Sequence, residues 1–371
     1  MKADPVVELT KTLVSIPSPT GKEHKICDFV KGRLEGVADE VRMVPVEGCG
    51  PSLVAYHRSS KKDAPTVVLN GHLDTVEAAD GWVTDPLEPH LDGDRLFGLG
   101  AGDMKSGLAI LIDLFERFSK EKGLNLTLTA SSDEEGNSFG AYTLLKQGLV
   151  QGDICLMTEP TNEMIMLGCR GRYVVDITVI GKSAHGARPH LGINAIEDAA
   201  RVVSNLNRIK PRQHELLGRG SLCVLKVTGG GDSLSVPGKC LIRVDRHVVP
   251  GETQELVMDD FIKALKPLEI KSKLKFSWMK RPTPFLEPYI TERTELVKTF
   301  IFLEKDHSGS SEDSIVYGES VGDFNLFGQA MPTIVYGPAA QDWHSPNEFV
   351  LVDSIVRVRD LYMKYLKSIE S

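Results

Sequence analysis

Six short stretches of this sequence, far apart along the chain, each contain a carboxylate or an imidazole, mostly beside glycine and after a strand-like segment. They are residues 71–75 (GHLDT), 102–107 (GDMKSG), 133–136 (DEEG), 158–160 (TEP), 183–186 (SAHG) and 343–348 (WHSPNE). Imidazole nitrogen and carboxylate oxygen are ligands of zinc and related divalent ions. One stretch alone would be a weak signal, but together they supply what a pair of bridged divalent ions needs.

His72 and Asp74 follow residues 66–70, a short apolar run suited to a buried strand. Residues i and i+2 of an extended chain share a face, so the Asp74 side chain can approach the His72 ring. A metal-bound imidazole usually donates its other N–H to a carboxylate, which fixes the tautomer. We therefore predict His72 as a ligand and Asp74 as the group that orients it. A loop held only by hydrogen bonds is the alternative.

Asp103 follows glycines at alternate positions, which are Gly98, Gly100 and Gly102. A phosphate-binding Walker A loop needs glycine directly before Lys-Ser, and Met104 occupies that position here. A dinucleotide-binding loop needs G-x-G-x-x-G, whereas the spacing here is G-x-G-x-G. The pattern therefore disfavours a nucleotide-binding enzyme. It indicates a turn that delivers Asp103 to the start of a helix at 104–118, where one carboxylate can bridge two ions.

Glu134 and Glu135 are adjacent and follow a strand-like run at 124–131. Neighbouring side chains cannot both point the same way, so one can coordinate a metal while the other stays free for proton transfer. A nearby carboxylate raises the pKa of such a base toward neutrality, which suits its task. A solvated acidic turn is the alternative, and the preceding apolar strand disfavours it.

In this order the six stretches closely resemble the co-catalytic metallohydrolases of the M20 family. That family includes acetylornithine deacetylases, succinyl-diaminopimelate desuccinylases, aminoacylases and glutamate carboxypeptidases. The resemblance runs from about residue 17 to residue 348 and implies that Glu134 is the general acid/base. It also implies five metal ligands, which are His72 and Glu159 on one ion, Glu135 and His344 on the other, and Asp103 between the two.

The charge of such a site balances, because three carboxylates and a bridging hydroxide neutralise two divalent ions. A mixed nitrogen and oxygen ligand set without thiolate favours zinc, with cobalt or manganese as possible substitutes. Two ions lower the pKa of a bridging water and polarise a carbonyl, while Glu134 takes the proton and passes it to the leaving amine. The resemblance thus implies hydrolysis of an amide bond.

His185 lies in residues 185–195 (HGARPHLGINA), which resemble the lid-domain pattern of the family. There the matching histidine reaches the active site of the partner subunit and stabilises the developing oxyanion. The alternative is a histidine at the end of a strand that caps a helix near Gly192.

Arg246 precedes residues 250–253 (PGET) and resembles the family's D-x-R or D-R-x segment. An arginine there can form a bidentate pair with a substrate carboxylate. The alternative is an ion pair with Asp245 or Asp176. Just upstream, residues 233–237 (SLSVP) depart from the Asn-Val-Ile-Pro of many relatives, so a substrate-contacting asparagine is missing and the acyl-group specificity is open.

The elements that must position these residues change character along the chain. The first 170 residues alternate helix-like and strand-like segments, which is typical of a mainly parallel sheet covered on both faces. These segments are 6–16, 23–34, 66–70, 104–118, 124–131, 140–147 and 153–157. The middle of the chain instead predicts the ferredoxin-like order βαββαβ. Its segments are 173–180, 192–207, 222–227, 241–248, 252–265 and 273–278.

Helix and strand alternation resumes after a proline-rich connector at 281–284. The predicted fold is therefore an α/β catalytic domain in two parts, 1–171 and 281–371, with an inserted ferredoxin-like α+β lid and dimerisation domain at 172–280. A four-stranded sheet with both helices on one side leaves an edge strand free to pair across a two-fold axis. We therefore expect a homodimer formed through this inserted domain.

The composition of the chain disfavours nucleic-acid-binding and membrane-spanning proteins. The 371 residues carry a net charge of −8, which leaves no basic stripe for nucleic acid. No apolar run is long enough to cross a bilayer, the N-terminus lacks the apolar core of a signal peptide, and the six cysteines show no CxxC spacing. We expect a cytoplasmic di-zinc hydrolase of a small N-acyl amino acid or short peptide. A carboxypeptidase or dipeptidase of the same family, or a non-catalytic binding relative, is the alternative.

Overall fold

The structure is a computed structural model that describes residues 4–309 and 314–370. The chain forms two compact units. Unit 1 consists of Met1–Gly168, Ile290–Tyr317 and Gly322–Ser371, and unit 2 consists of Cys169–Tyr289 and Gly318–Val321. The catalytic domain was predicted to comprise residues 1–171 and 281–371. Residues 1–3 and 371, at the outer ends of these two parts, lie outside the described ranges.

The helices of the described residues are α1 Pro5–Val14, α2 His24–Leu34, α3 Ser106–Phe118, α4 Phe139–Lys146, α5 Ala195–Asn205, α6 Gln254–Leu265, α7 Glu295–Ser308, α8 Asp323–Ala330 and α9 Val352–Ile369. The strands are β1 Glu40–Val44, β2 Ser52–His57, β3 Thr66–His72, β4 His90–Asp92, β5 Arg95–Phe97, β6 Asn125–Ser131, β7 Ile154–Met157, β8 Ile165–Cys169, β9 Gly171–Ile180, β10 Gln213–His214, β11 Gly218–Arg219, β12 Ser221–Gly229, β13 Lys239–Val248, β14 Lys273–Trp278, β15 Tyr289–Ile290, β16 Ile315–Gly318, β17 Thr333–Val335, β18 Ala340–Gln341 and β19 Phe349–Leu351.

The large sheet has the strand order β1-β2-β6-β3-β7-β17-β8-β15, and β16 also pairs with β8. Its centre is parallel, because β3 pairs in parallel with β6 and β7, and β17 pairs in parallel with β7. The outer pairs are antiparallel. Strands β3 and β6 share one hydrophobic core with α1, α3, α7 and α9. Burial of this kind suits strands that are apolar almost throughout, and it confirms the predicted mixed α/β class.

The carboxyl ends of β3 and β6 lie side by side in this sheet, with His72 opposite Ser131. Helix α3 begins at Ser106, two residues later than predicted. Asp103 has φ −116° and ψ 98°, which is extended backbone, so the chain turns into the helix only after it. The loops that follow the central strands therefore start at one edge of the sheet, where open α/β sheets place their sites.

Unit 2 contains an antiparallel sheet with the order β12-β13-β9-β14. Helices α5 and α6 share a hydrophobic core with β9 and β13. The chain order of these elements is βαββαβ, which confirms the predicted ferredoxin-like arrangement. Alternate residues of β9 are buried beneath the helices, among them Val175, Ile177 and Val179.

No helix within residues 4–309 and 314–370 is both long enough and apolar enough to cross a membrane.

Candidate metal centre

The first half of the site forms around His72, the last residue of β3, which is 1% exposed. Its Nε2 atom lies 3.0 Å from Asp103 Oδ1 and 3.7 Å from Glu159 Oε2. Glu159 follows β7, the parallel neighbour of β3, so both residues emerge at the same edge of the sheet. The ligand atoms of these three residues all lie within 4.8 Å of one another.

The second half forms around His344, in the loop between β18 and β19. Its Nε2 atom lies 2.9 Å from the carboxylate of Glu135 and 3.4 Å from Asp103 Oδ2. His344 has a φ of 61°, a left-handed conformation that is uncommon for residues other than glycine. These three ligand atoms also lie within 4.8 Å of one another. Asp103 therefore belongs to both groups, with one carboxylate oxygen toward each histidine.

This set of residues fits two divalent cations. Two imidazoles and three carboxylates match the mixed donor set of zinc sites. The Oε1 atom of Glu159 is buried and has no hydrogen-bond partner within the described ranges, so it is an acceptor without a donor. Burial raises the pKa of Glu159 to about 7, against the lowering by His72.

The carboxylates around the two histidines raise the pKa of both imidazoles. Burial alone would lower the pKa of His72, but the carboxylates of Glu159 and Asp103 raise it well above its usual value. Hydrogen bonds with Asp103 and Glu135 raise the pKa of His344 to about 10. Both histidines therefore lie among carboxylates that favour a positive charge at their ring nitrogens.

The role predicted for Asp74, to orient the His72 ring, stays a prediction. The Nδ1 atom of His72 lies 2.9 Å from the main-chain oxygen of Asp74 and 3.7 Å from its nearest carboxylate oxygen. The carboxylate also accepts hydrogen bonds from the backbone N–H groups of Glu134 (3.1 Å) and Glu135 (3.2 Å) and from Thr20 Oγ1 (2.9 Å). Asp74 positions the pair of glutamates and, through its carbonyl, the imidazole.

Glu134 lies against the start of α8, a contact that the sequence analysis did not predict. Its Oε1 atom accepts a hydrogen bond from the backbone N–H of Asp323 at 3.2 Å. A Cβ added to Gly322 would lie 2.2 Å from that oxygen. Burial raises the pKa of Glu134 well above its usual value, and the Glu159 and Asp323 carboxylates add to the effect against the lowering by His72. A buried carboxylate with a raised pKa is the kind of group that general acid/base catalysis uses.

Asp323 is a buried carboxylate that the sequence analysis missed. It is 0% exposed, accepts a hydrogen bond from Ser131 Oγ, and its Oδ1 atom has no hydrogen-bond partner in the described part of the chain. Burial raises its pKa. Its only sequence signal is an acidic residue after glycine at the start of a short helix, which is common in proteins.

His185 lies in unit 2, where it is exposed and its Nδ1 atom accepts the backbone N–H of Ala187 at 3.0 Å. The capping alternative is wrong, because α5 begins at Ala195 and the side chain of Asn194 caps it through the N–H of Ile196 at 3.0 Å. The role of His185 toward a substrate stays a prediction.

Arg246 is wholly buried in unit 2, where it forms an ion pair with Glu252. Both alternative partners were wrong, because Asp176 pairs with Arg243 and Asp245 pairs with Arg172. Alternate residues of β13 face the helices, and Arg246 is on that buried side. The predicted contact with a substrate carboxylate therefore finds no exposed surface on Arg246 in this structure.

The sequence of this chain is similar to a known protein family and to named relatives. Residues 68–368 match the model of the peptidase family M20/M25/M40, so the chain belongs to this family. It is 27% identical to a candidate succinyl-diaminopimelate desuccinylase, DapE, of Mycobacterium tuberculosis, over 99% of each chain. It is 25% identical to the acetylornithine deacetylase of Edwardsiella ictaluri, over 96% of this chain and 95% of the relative. The protein is thus a metal-dependent hydrolase of the amidohydrolase and peptidase type.

Solved structures show the same fold. A tripeptidase from Staphylococcus aureus superposes with a TM-score of 0.80 at 20% identity and covers 99% of this chain and 98% of its own. A dinuclear metal-binding peptidase of the M20 family from Bacillus subtilis superposes with a TM-score of 0.71 at 14% identity, over 98% and 97% of the two chains. At these identities the likeness extends to the fold alone.

Proposed function

We propose that this protein is a di-zinc hydrolase that cleaves the amide bond of a small N-acyl amino acid or short peptide. The observation that carries the proposal is the position of Asp103, whose two carboxylate oxygens face two separate groups of ligands. The ligands are His72 and Glu159 on one ion and Glu135 and His344 on the other, with Asp103 shared by both. Cobalt or manganese are substitutes that the same donor set accepts.

Bound at this centre, the two ions supply Lewis acidity toward a carbonyl and lower the pKa of a water molecule. Glu134 is the group that accepts the proton of the attacking water and returns it to the leaving amine. It remains outside both ligand groups, its raised pKa suits proton transfer in both directions, and the N-terminus of α8 fixes its direction. Asp74 supports the same geometry by holding the backbone of Glu134 and Glu135.

The relatives favour a deacylase over a peptidase. Those named above, at 25% and 27% identity, are a deacetylase and a candidate desuccinylase, whereas the peptidases are matched at lower identity. The test is a hydrolysis panel of N-acetyl and N-succinyl amino acids, dipeptides and tripeptides with added zinc, cobalt or manganese. Cleavage of N-acyl amino acids alone supports a deacylase, and cleavage of peptides alone supports the carboxypeptidase or dipeptidase alternative. A protein that binds zinc and cleaves none of them would be the non-catalytic relative.

We also propose a homodimer formed through unit 2, with His185 acting in the site of the partner subunit. The support is the free edge of β12, which pairs with β13 on one side and ends the sheet as the structure describes it. Leu225 and Val227 on this strand are about half exposed, at 49% and 51%. An exposed apolar edge strand is a surface that sheets normally cover by pairing with another strand.

A further inference from the structure

The carboxylate of Glu348 is buried, at 2% exposure, beneath the glycine-rich loop that ends at Asp103. It accepts backbone hydrogen bonds from Gly100 at 2.8 Å, Gly102 at 2.8 Å and Asp103 at 2.9 Å. Hydrogen bonds from N–H groups to a carboxylate are among the stronger ones in proteins. Three of them on one side chain fix the direction in which this loop presents Asp103.

Backbone hydrogen bonds also hold the loop, from Leu99 to Pro86 at 2.8 Å and from Ala101 to Gly98 at 3.0 Å, but they leave the N–H groups of Gly100, Gly102 and Asp103 to Glu348. Gly98 and Gly100 have positive φ values of 155° and 74°, and glycine backbone is the most flexible in the unfolded chain. Gly102 leaves no room for a larger residue, because an added Cβ would lie 2.6 Å from the Cβ of Ala340 and 3.2 Å from Glu348 Oε1. Ala101 is buried in the hydrophobic core, and Glu348 holds the three N–H groups on either side of it from outside the loop.

Glu348 also belongs to the segment that carries His344, four residues earlier. Its main-chain oxygen accepts the N–H of Gly98 at 3.1 Å, and the next residue, Phe349, begins β19. One residue thus joins the two loops that bring Asp103 and His344 to within 3.4 Å of each other.

We propose that Glu348 is a positioning residue for the metal centre: it locks the Asp103 loop to the His344 loop so that both oxygens of Asp103 face their ligand groups. This inference rests on the proposed function, because it takes Asp103 and His344 as ligands. The shared carboxylate has to meet two ions at once, so a small rotation of the loop would weaken both.

The substitution Glu348→Gln isolates this role, because glutamine keeps the size of the side chain. Glutamine has only one acceptor oxygen, and its NH₂ group is a donor. One backbone N–H of the loop would therefore face another donor and lose its hydrogen bond. The matched control is Glu304→Gln, since Glu304 is equally buried in unit 1 at 2% exposure and its carboxylate bonds Ser308 and Ser314, which are not part of the site. Glu348→Asp, which keeps the charge but shortens the reach, serves if Glu348→Gln does not fold.

The experiment is calorimetric titration of the metal-free proteins with zinc, together with kinetics at several zinc concentrations. We expect Glu348→Gln to bind zinc about 10-fold to 100-fold more weakly than the wild type. Its kcat should recover as zinc is raised, with KM unchanged, while Glu304→Gln should keep the wild-type affinity. Zinc affinity of Glu348→Gln, or of Glu348→Asp in its place, within twofold of the wild type would overturn the inference and leave the proposed function intact. A wild-type protein that takes up no zinc would overturn the metal centre and this inference with it.

Discussion

Asp103 shows at the scale of single residues how the site is built, because each oxygen of one carboxylate serves a different histidine. The two adjacent glutamates near Asp103 point in different directions. Glu135 approaches His344, whereas Glu134, the next residue along the chain, turns toward the start of α8. This opposite orientation of adjacent side chains supports the proposed roles, Glu135 as a ligand and Glu134 as the base.

Replacement of the base should separate chemistry from metal binding. Glu134→Ala removes no proposed ligand, so we expect it to keep both zinc ions and to lose about a hundred-fold to ten-thousand-fold in kcat. Metal analysis and steady-state kinetics on the same preparation check this. Glu135→Ala is the matched control and should lose metal. Loss of metal from Glu134→Ala instead would mean that the roles of the two glutamates are exchanged.

Gly322 should be needed for the direction of Glu134. A methyl group at this position would lie 2.2 Å from Glu134 Oε1, so the carboxylate must move. We expect Gly322→Ala to lower kcat at least about tenfold while zinc content and KM stay near wild type, because a misplaced catalytic group affects the chemical step. Gly32→Ala in α2 is the control, since no atom lies within 4 Å of its added Cβ. An unchanged kcat of Gly322→Ala would mean that the start of α8 does not orient Glu134 for catalysis.

The metal-free protein should show a pH dependence that zinc removes. The folded-state pKa of His344 is raised to about 10 by Asp103 and Glu135. A raised pKa contributes stability that is complete below the unfolded value of about 6.5 and disappears as the pH rises through 10. We therefore expect the Tm of the metal-free protein to fall between pH 7 and pH 10, less so in His344→Ala, and to change little with zinc bound. A metal-free Tm that rises over this range would contradict the assignment.

At the scale of elements, the sequence could predict what depends on pattern and motif. The ends of β3, β6 and β7 were predictable because apolar runs end where ligands begin. The short antiparallel strands β4, β5, β18 and β19 were not, since two or three residues carry no periodicity. The hydrogen bond between Glu134 and Asp323 of α8 joins residues 189 positions apart, so no local sequence pattern predicts it.

The burial of Arg246 on β13 is a second feature that the sequence left undecided. The D-x-R or D-R-x resemblance indicated a substrate contact, whereas the register of β13 turns Arg246 toward the helices and onto Glu252. Strand register depends on the partners of the strand, so the face on which Arg246 lies followed only from the folded unit.

Loss of Arg246 should therefore appear first as lost stability. Arg246→Met removes the nearer of two arginines from the buried Glu252 carboxylate, which keeps Arg212 at 3.8 Å. Breaking a buried pair costs about 3 to 5 kcal/mol, and the second arginine places the expected loss at the lower end, about 3 kcal/mol. Arg243→Met is the control, since its pair with Asp176 is partly exposed and contributes about 1 kcal/mol or less. The free energy of unfolding of both variants is measured by denaturant titration, and their kcat and KM are measured on the same preparations. An Arg246→Met protein of unchanged stability with a strongly raised KM would restore the substrate-binding role.

At the scale of the whole molecule, the proposed homodimer brings His185 of one subunit to the metal centre of the other. Mixing His185→Ala with Glu134→Ala tests this. Each homodimer should be nearly inactive, whereas a heterodimer has one site with an intact base and an intact His185 from the partner. We expect part of the wild-type rate to return on subunit exchange. No recovery despite demonstrated exchange would mean that His185 acts in its own subunit or has no role in the reaction.

We propose that Asp103 and its neighbours hold two catalytic zinc ions, and metal content measured alongside activity is the test of this proposal. We expect up to two zinc ions per chain in fully active protein, complete loss of hydrolysis on chelation, and recovery when zinc is returned. The unaltered activity of a preparation that contains no metal would contradict it.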